Sequence, residues 1–219
     1  REKSYHYSKF LLNLGIDLLC EKPAVLKKKN LVSLLKLAKR KKSVFQIGFQ
    51  KTHDQKIIFF KKKINFFIKK FGKIHFANFE LFNGDMRWGK KTIVRTNEII
   101  LNQSYDEKTD YISHKKKEIM YKIFINRYIH SINLFNFLFP TRFKDLIINL
   151  NYASKLNYSF TLSDRKRKTL YSFIFGDYQF NGWHDKLEIF FEKAIIKISL
   201  PSPLDNNSSS YLKVYDGIK

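Results

Sequence analysis

Between Gly15 and Gln50 two short apolar runs flank one amphipathic segment, and this order limits what the chain can become. Ile16–Cys20 follows a glycine and ends at a charged pair and a proline. Val44–Phe49 is the second run. Both are too short for buried helices and read as strands covered on two faces. Between them Leu31, Leu34, Leu35 and Ala38 recur at i, i+3, i+4, i+7 among lysines and an arginine, which predicts a helix with one buried side. Strand, crossover helix and strand in this order make a parallel, right-handed βαβ unit.

The chemistry of this unit is expected where its first strand stops. Glu21-Lys22-Pro23 stands at the carboxyl end, the place where open α/β sheets bind ligands. Pro23 has no N–H and a fixed φ, so strand pairing ends there along one exit path. A lysine on such an edge can meet a phosphate, a ribose hydroxyl or a substrate oxygen. It can equally be a solvated lysine at a strand end.

Upstream, Tyr7, Phe10, Leu11 and Leu14 predict one helix face, with Gly15 as the residue that closes it. Starting directly in a helix, the chain reads as having no signal peptide. Cys20 is the sole cysteine, so no intramolecular disulfide can form, and its place in an apolar strand suits a structural role in a reducing cytoplasm. No run reaches the roughly 18 uncharged apolar residues of a membrane span. The net charge of +23 invites a nucleic-acid reading. The lysines are spread along the chain and no RNP-like motif accompanies them, so they read as a solvated surface that binds polyanions only in a salt-dependent way. Neither a metal-ligand spacing nor a G-x-S-x-G motif occurs.

Ile57, Phe60, Ile64, Phe67, Ile68 and Phe71 predict a long helix ended by Gly72, followed by a strand over Ile74–Phe82 and a turn at Asn83-Gly84. Residues 85–114, with Arg87, Trp88 and Arg95, read as a polar loop. Ile119–Phe139 reads as one long helix on which Asn126, His130 and Asn133 form a polar stripe. Polar groups aimed into a core need partners, so the stripe is a satisfied network or one wall of a site. From Leu146 onward the pattern is that of strands: Leu146–Tyr152, Tyr158–Leu162, Leu170–Phe175, Leu187–Phe191 and Ala194–Leu200. Turns are expected at Ser163-Asp164, Gly176-Asp177 and Asn181-Gly182. Trp183 and His184, next to Asp185 and beside the last of these turns, could suggest a site but read as surface or interface. Asn206–Ser210 reads as a polar loop, and the residues after it add nothing decisive.

Two stretches resemble one family. LLCEKPAVLKKKNLVSLLKLAKRKKSVFQIGFQ is similar to the core of the glucose–fructose oxidoreductase / inositol dehydrogenase (Gfo/Idh/MocA) family, with its strand ending in Glu-Lys-Pro and a later strand ending in Gly-Phe-Asn/Gln. NRYIHSINLFNFLFP resembles that family's second signature, a helix with Asp or Asn four residues before a histidine. The resemblance implies an α/β fold: the C-terminal half of a Rossmann-like parallel sheet over residues 1–52, then an α+β domain with a large, mostly antiparallel sheet over 53–219. It implies NAD or NADP as cofactor, with Glu21, Lys22, Pro23 and Gln50 on the cofactor side. It also implies a sugar, nucleotide-sugar or polyol substrate whose hydroxyl-bearing carbon exchanges a hydride with nicotinamide. Lys22 would polarise the oxygen, His130 would move the proton, and Asn126 would be the neighbour of His130. Where relatives continue with Asn-Arg-Arg, this chain has Gln50-Lys51-Thr52. The open sheet face implies homo-oligomers, and neither a membrane nor a specific nucleic acid is an expected partner.

No three of the glycines have the G-x-G-x-x-G spacing that grips a dinucleotide pyrophosphate. The resemblance therefore implies that the first half of the nucleotide-binding domain lies outside this sequence, together with the residue that distinguishes NAD from NADP. A second reading follows from that gap, a non-catalytic remnant or oligomerisation scaffold of the same fold.

Overall fold

The computed structural model describes residues 4–84, 121, 124–126, 128–152, 157–178, 182–203, 205 and 207–217. The loop expected at 85–114 lies outside them, as does Asn181 of the turn at Asn181-Gly182. Backbone contacts divide the chain into two compact units, Arg1–Phe49 with Arg95–Ile129 and Gln50–Val94 with His130–Lys219.

In the first unit the βαβ expectation holds. Helix α1 (Ser4–Asn13) leads into strand β1 (Leu18–Cys20), helix α2 (Lys28–Lys41) and strand β2 (Phe45–Ile47). The strands pair in parallel, Leu18 opposite Phe45 and Cys20 opposite Ile47. Gly15 takes φ +77°. Its N–H reaches the Leu12 carbonyl at 3.1 Å while the Ile16 N–H reaches Leu11 at 3.2 Å, which closes α1 as a C′ glycine does.

The buried faces differ from those expected. On α1 the core residues are Ser8 and Leu12, with Tyr5 packed beside them, while Tyr7, Phe10 and Leu14 are exposed. The segment carries apolar residues on opposite sides, and α2 packs against only one of them. On α2 the partners are Leu34, Leu37 and Ala38, and Leu35 is exposed. Leu35 lies about 100° around the helix from Leu34, whereas Leu37 lies about 60° away. Among the described residues the strands are covered on one face. Leu18 and Phe45 pack on the helices, and Leu19, on the opposite face, is 70% exposed.

The second unit begins with a 3-10 turn, Gln50–His53, and helix α3 (Gln55–Phe71). Asp54 caps α3, its Oδ1 accepting from the N–H groups of Lys56 and Ile57. Strand β3 (Ile74–Asn83) and helix α4 (Ile129–Leu138) follow. After a short 3-10 turn (Phe143–Asp145) come β4 (Leu146–Tyr152), β5 (Tyr158–Asp164), β6 (Thr169–Asp177), β7 (Trp183–Phe191), β8 (Ile195–Ser199) and β9 (Tyr211–Tyr215). They form a seven-stranded sheet in the order β4-β5-β6-β3-β7-β8-β9. Only β3 and β6 pair in parallel; every other neighbour is antiparallel.

Period-2 alternation sorts the two faces. Ala77, Phe79 and Leu81 point one way with Tyr171, Phe173 and Phe175 of β6 and Leu187 and Ile189 of β7, all buried. Helices α3 and α4 cover this face. Phe135 of α4 meets Phe79, Tyr171 and Phe173 at ring distances of 6.1, 4.8 and 5.7 Å, and Phe67 and Phe71 of α3 meet Phe191. Phe173 is stacked between Phe79 at 4.7 Å and Phe160 at 4.3 Å.

Two details correct the sequence reading. A turn at Tyr128 separates the helical residues Phe124–Asn126 from α4, so Asn126 and His130 do not share one uninterrupted helix. Gly176-Asp177 continues β6 and is no turn, because its pairing with Phe82 and Asn83 carries on to the strand end. Near the end of the chain β9 pairs with β8, from Ser199 opposite Tyr211 to Ile195 opposite Tyr215. At the β5–β6 connection the turn is made by Asp164, whose Oδ1 accepts from the N–H groups of Lys166 and Arg167, each at 3.0 Å.

Candidate functional site

In the first unit the chemical groups gather at the carboxyl end of the parallel pair. The Gly48 N–H donates to the Cys20 carbonyl at 2.8 Å, so both strands stop at the same level. Beyond that point Glu21 is exposed and Lys22 and Pro23 are half-buried. The Lys22 N–H donates to Glu21 Oε2 at 3.1 Å, and the Lys22–Pro23 peptide is cis. The Lys22 ammonium donates to the backbone carbonyl of Asn126. Asn126 sits in a short helical turn in which the Tyr128 N–H reaches the Phe124 carbonyl at 2.8 Å, with Ile125 and Tyr128 buried. The structure thus brings together two of the residues singled out from sequence, Lys22 and Asn126, through the main chain of the asparagine.

Gln50 and His130, also singled out from sequence, belong to the second unit. Gln50 is exposed at the start of the 3-10 turn. His130 is buried in the first turn of α4, on the face that carries Ser131, Leu134, Phe135 and Leu138 into the core.

Three residues that the sequence reading did not select form a buried polar cluster in this unit. Lys51 Nζ lies 2.7 Å from Asp185 Oδ2 and 3.3 Å from Ser131 Oγ. All three side chains are at least nine-tenths buried. Asp185 falls on the core face of β7 in line with Leu187, Ile189 and Phe191, opposite Leu81 of β3. Its neighbour His184 points to the outer face and meets Glu80 Oε2 at 2.7 Å. The alternation Asp185, Leu187, Ile189, Phe191 was the available signal. A charge inside is tolerated only with a partner. Burial pushes the Asp185 carboxyl above its ordinary value, and the Lys51 ammonium pulls it back down. Among the described residues no group of His, Cys, Asp or Glu could hold a metal ion, and no helix is long and apolar enough to cross a membrane.

This fold, a parallel βαβ unit with Glu-Lys-Pro at its strand end joined to a seven-stranded, mostly antiparallel sheet under two helices, is that of the Gfo/Idh/MocA-type oxidoreductases. Three of the solved structures that resemble this chain illustrate the likeness. An aldose–aldose oxidoreductase from Caulobacter crescentus superposes with a TM-score of 0.66 at 12% identity, over 99% of this chain and 58% of its own. An oxidoreductase from Pseudomonas syringae gives 0.65 at 12%, over 97% and 53%. A myo-inositol 2-dehydrogenase from Lactobacillus plantarum gives 0.63 at 16%, over 95% and 59%. The chain thus spans between 53% and 59% of the length of these proteins. No protein-family model and no curated protein matches it by sequence.

An exposed carboxylate, a lysine and peptide groups stand at the carboxyl ends of the parallel strands, the edge at which open α/β sheets bind their ligands. No grip for the pyrophosphate is found in the sequence, as its glycine spacing requires.

Proposed function

We propose that this chain is the larger part of an NAD(P)-dependent oxidoreductase acting on a hydroxyl-bearing carbon of a sugar, nucleotide-sugar or polyol. The observation that carries the reading is Lys22, at the carboxyl end of β1 with its ammonium anchored on the Asn126 carbonyl. The anchor fixes the reach of a long, flexible side chain, and a fixed cation is what a polarised substrate oxygen requires. In this reading Lys22 donates a hydrogen bond to the substrate oxygen, and Glu21, Pro23 and Gln50 bound the cofactor side. His130 accepts the hydroxyl proton during oxidation and returns it during reduction, a task suited to an imidazole near neutral pH. A bound nicotinamide supplies the hydride acceptor or donor. Residues 1–52 serve the cofactor and 53–219 the substrate.

The test is a hydride-transfer assay with the longest natural form of the chain. NAD and NADP are offered with a panel of inositols, aldoses and nucleotide-linked sugars, and reduced nicotinamide is followed by absorbance. Substrate-dependent reduction is the expected result; its absence across the panel, with cofactor binding intact, overturns the reading.

A scaffold reading has its own support in the outer sheet face. There Leu170, Phe76, Phe190, Ile195 and Tyr215 follow one another across five strands as an apolar row. The same row serves self-association in either reading, because an active enzyme of this fold can also pair through it.

A further inference from the structure

We propose that Lys51 is a positioning residue for His130, acting through Ser131 and Asp185. The proposal rests on the dehydrogenase reading only for the role of His130 itself. One lysine ties together three separate elements of the second unit, its own and two that its ammonium contacts. Lys51 belongs to the 3-10 turn Gln50–His53, Asp185 to the core face of β7, and Ser131 to the first turn of α4, directly after His130. The distances are 2.7 Å to the carboxylate and 3.3 Å to the hydroxyl. A helix that merely packs needs apolar contacts, and α4 has them at Leu134, Phe135 and Leu138. Such contacts let a helix slide or rotate by small amounts, because they are not directional. A charge-assisted hydrogen bond near the start of the helix is directional and fixes its rotation where His130 lies. Apolar residues of similar volume would serve stability as well or better, so stability alone does not account for an ion pair at this position, and a role in geometry does.

The experiment compares the chain with three variants. Ser131→Ala detaches α4 and leaves the Lys51–Asp185 pair intact. Lys51→Met with Asp185→Leu removes the pair together, so no charge is left buried alone. Leu138→Ala loosens the far end of the same helix. Thermal unfolding establishes which are folded. Histidine ring NMR signals are followed through a pH titration, with His130 assigned from His130→Gln, and kcat and KM are measured on the natural full-length form. The expected result is a changed His130 titration and ring shifts in the first two variants and wild-type behaviour in Leu138→Ala. With turnover present, kcat falls about tenfold or more in the first two while KM stays within twofold. Should Ser131→Ala fail to fold, the double variant decides alone. Folded variants whose His130 signals and titration superpose on the wild type overturn the proposal. A wild type without hydride transfer defeats the dehydrogenase reading instead, and the NMR comparison still decides this one.

Discussion

Lys51 Nζ stands 2.7 Å from Asp185 Oδ2 with both side chains less than a tenth exposed. Lys51→Met therefore leaves a carboxylate in the core without its counter-ion. The expected loss is about 3–5 kcal/mol, read from urea unfolding, and adding Asp185→Leu should return most of it.

The same pair sets a pH dependence whose sign follows from the raised Asp185 carboxyl. Above the ordinary carboxylate range the unfolded chain has released its proton while the native state still holds it. The stabilising contribution is thus present at low pH and is lost as pH rises through the folded value. Lys51→Met removes the neighbour that pulls this value down, so its unfolding midpoint should fall more steeply than that of Asp185→Asn between about pH 4 and pH 7. Midpoints of the two variants that run parallel over this range would contradict it.

Gly72 ends α3 with φ +86°, and a Cβ there would come within 2.7 Å of the Glu192 Cβ. Both the conformation and the space exclude a side chain. Gly72→Ala should cost roughly 1–3 kcal/mol, measured as a shift in the denaturation midpoint.

On the natural full-length form, Lys22→Ala and His130→Ala should each lower kcat/KM on the order of a hundredfold, the scale of a lost acid–base or polarising group. Circular dichroism should show both variants folded. Normal turnover in both would move the scaffold reading to first place.

The 219 residues alone should bind NAD(H) and NADP(H) only weakly, because no G-x-G-x-x-G spacing is available to hold the pyrophosphate. Calorimetric titration with micromolar affinity for this chain would refute that.

The outer face of the sheet should mediate self-association. Phe190→Asp places a charge in the middle of the row running from Leu170 to Tyr215 and should convert dimers to monomers in sedimentation runs at high salt. A wild type that is monomeric at high concentration removes the basis for the effect.

Much of the architecture was legible in order along the chain. The two apolar runs around an amphipathic helix determined a parallel βαβ unit, Gly15 and Gly72 marked two helix ends, and alternating Ile, Phe, Tyr and Leu announced the strands of a sheet. These are local signals, carried by backbone preference and by the 2 and 3.6 periodicities. Glu21-Lys22-Pro23 and His130 could be singled out because their residue types and neighbours form short motifs. The choice among competing faces was not local. Whether α1 buries Leu12 or Phe10 depends on what α2 presents to it, and the amphipathic pattern alone contains both answers. The parallel pairing of β3 with β6 joins segments far apart in the chain, so no neighbouring residue encodes it. The cluster of Lys51, Ser131 and Asp185 needs three distant elements to meet before a lysine in a basic chain becomes a buried counter-ion. Sequence determines which groups are available; only packing decides which of them lose water, and it is that loss that gives a charge its partner and its role.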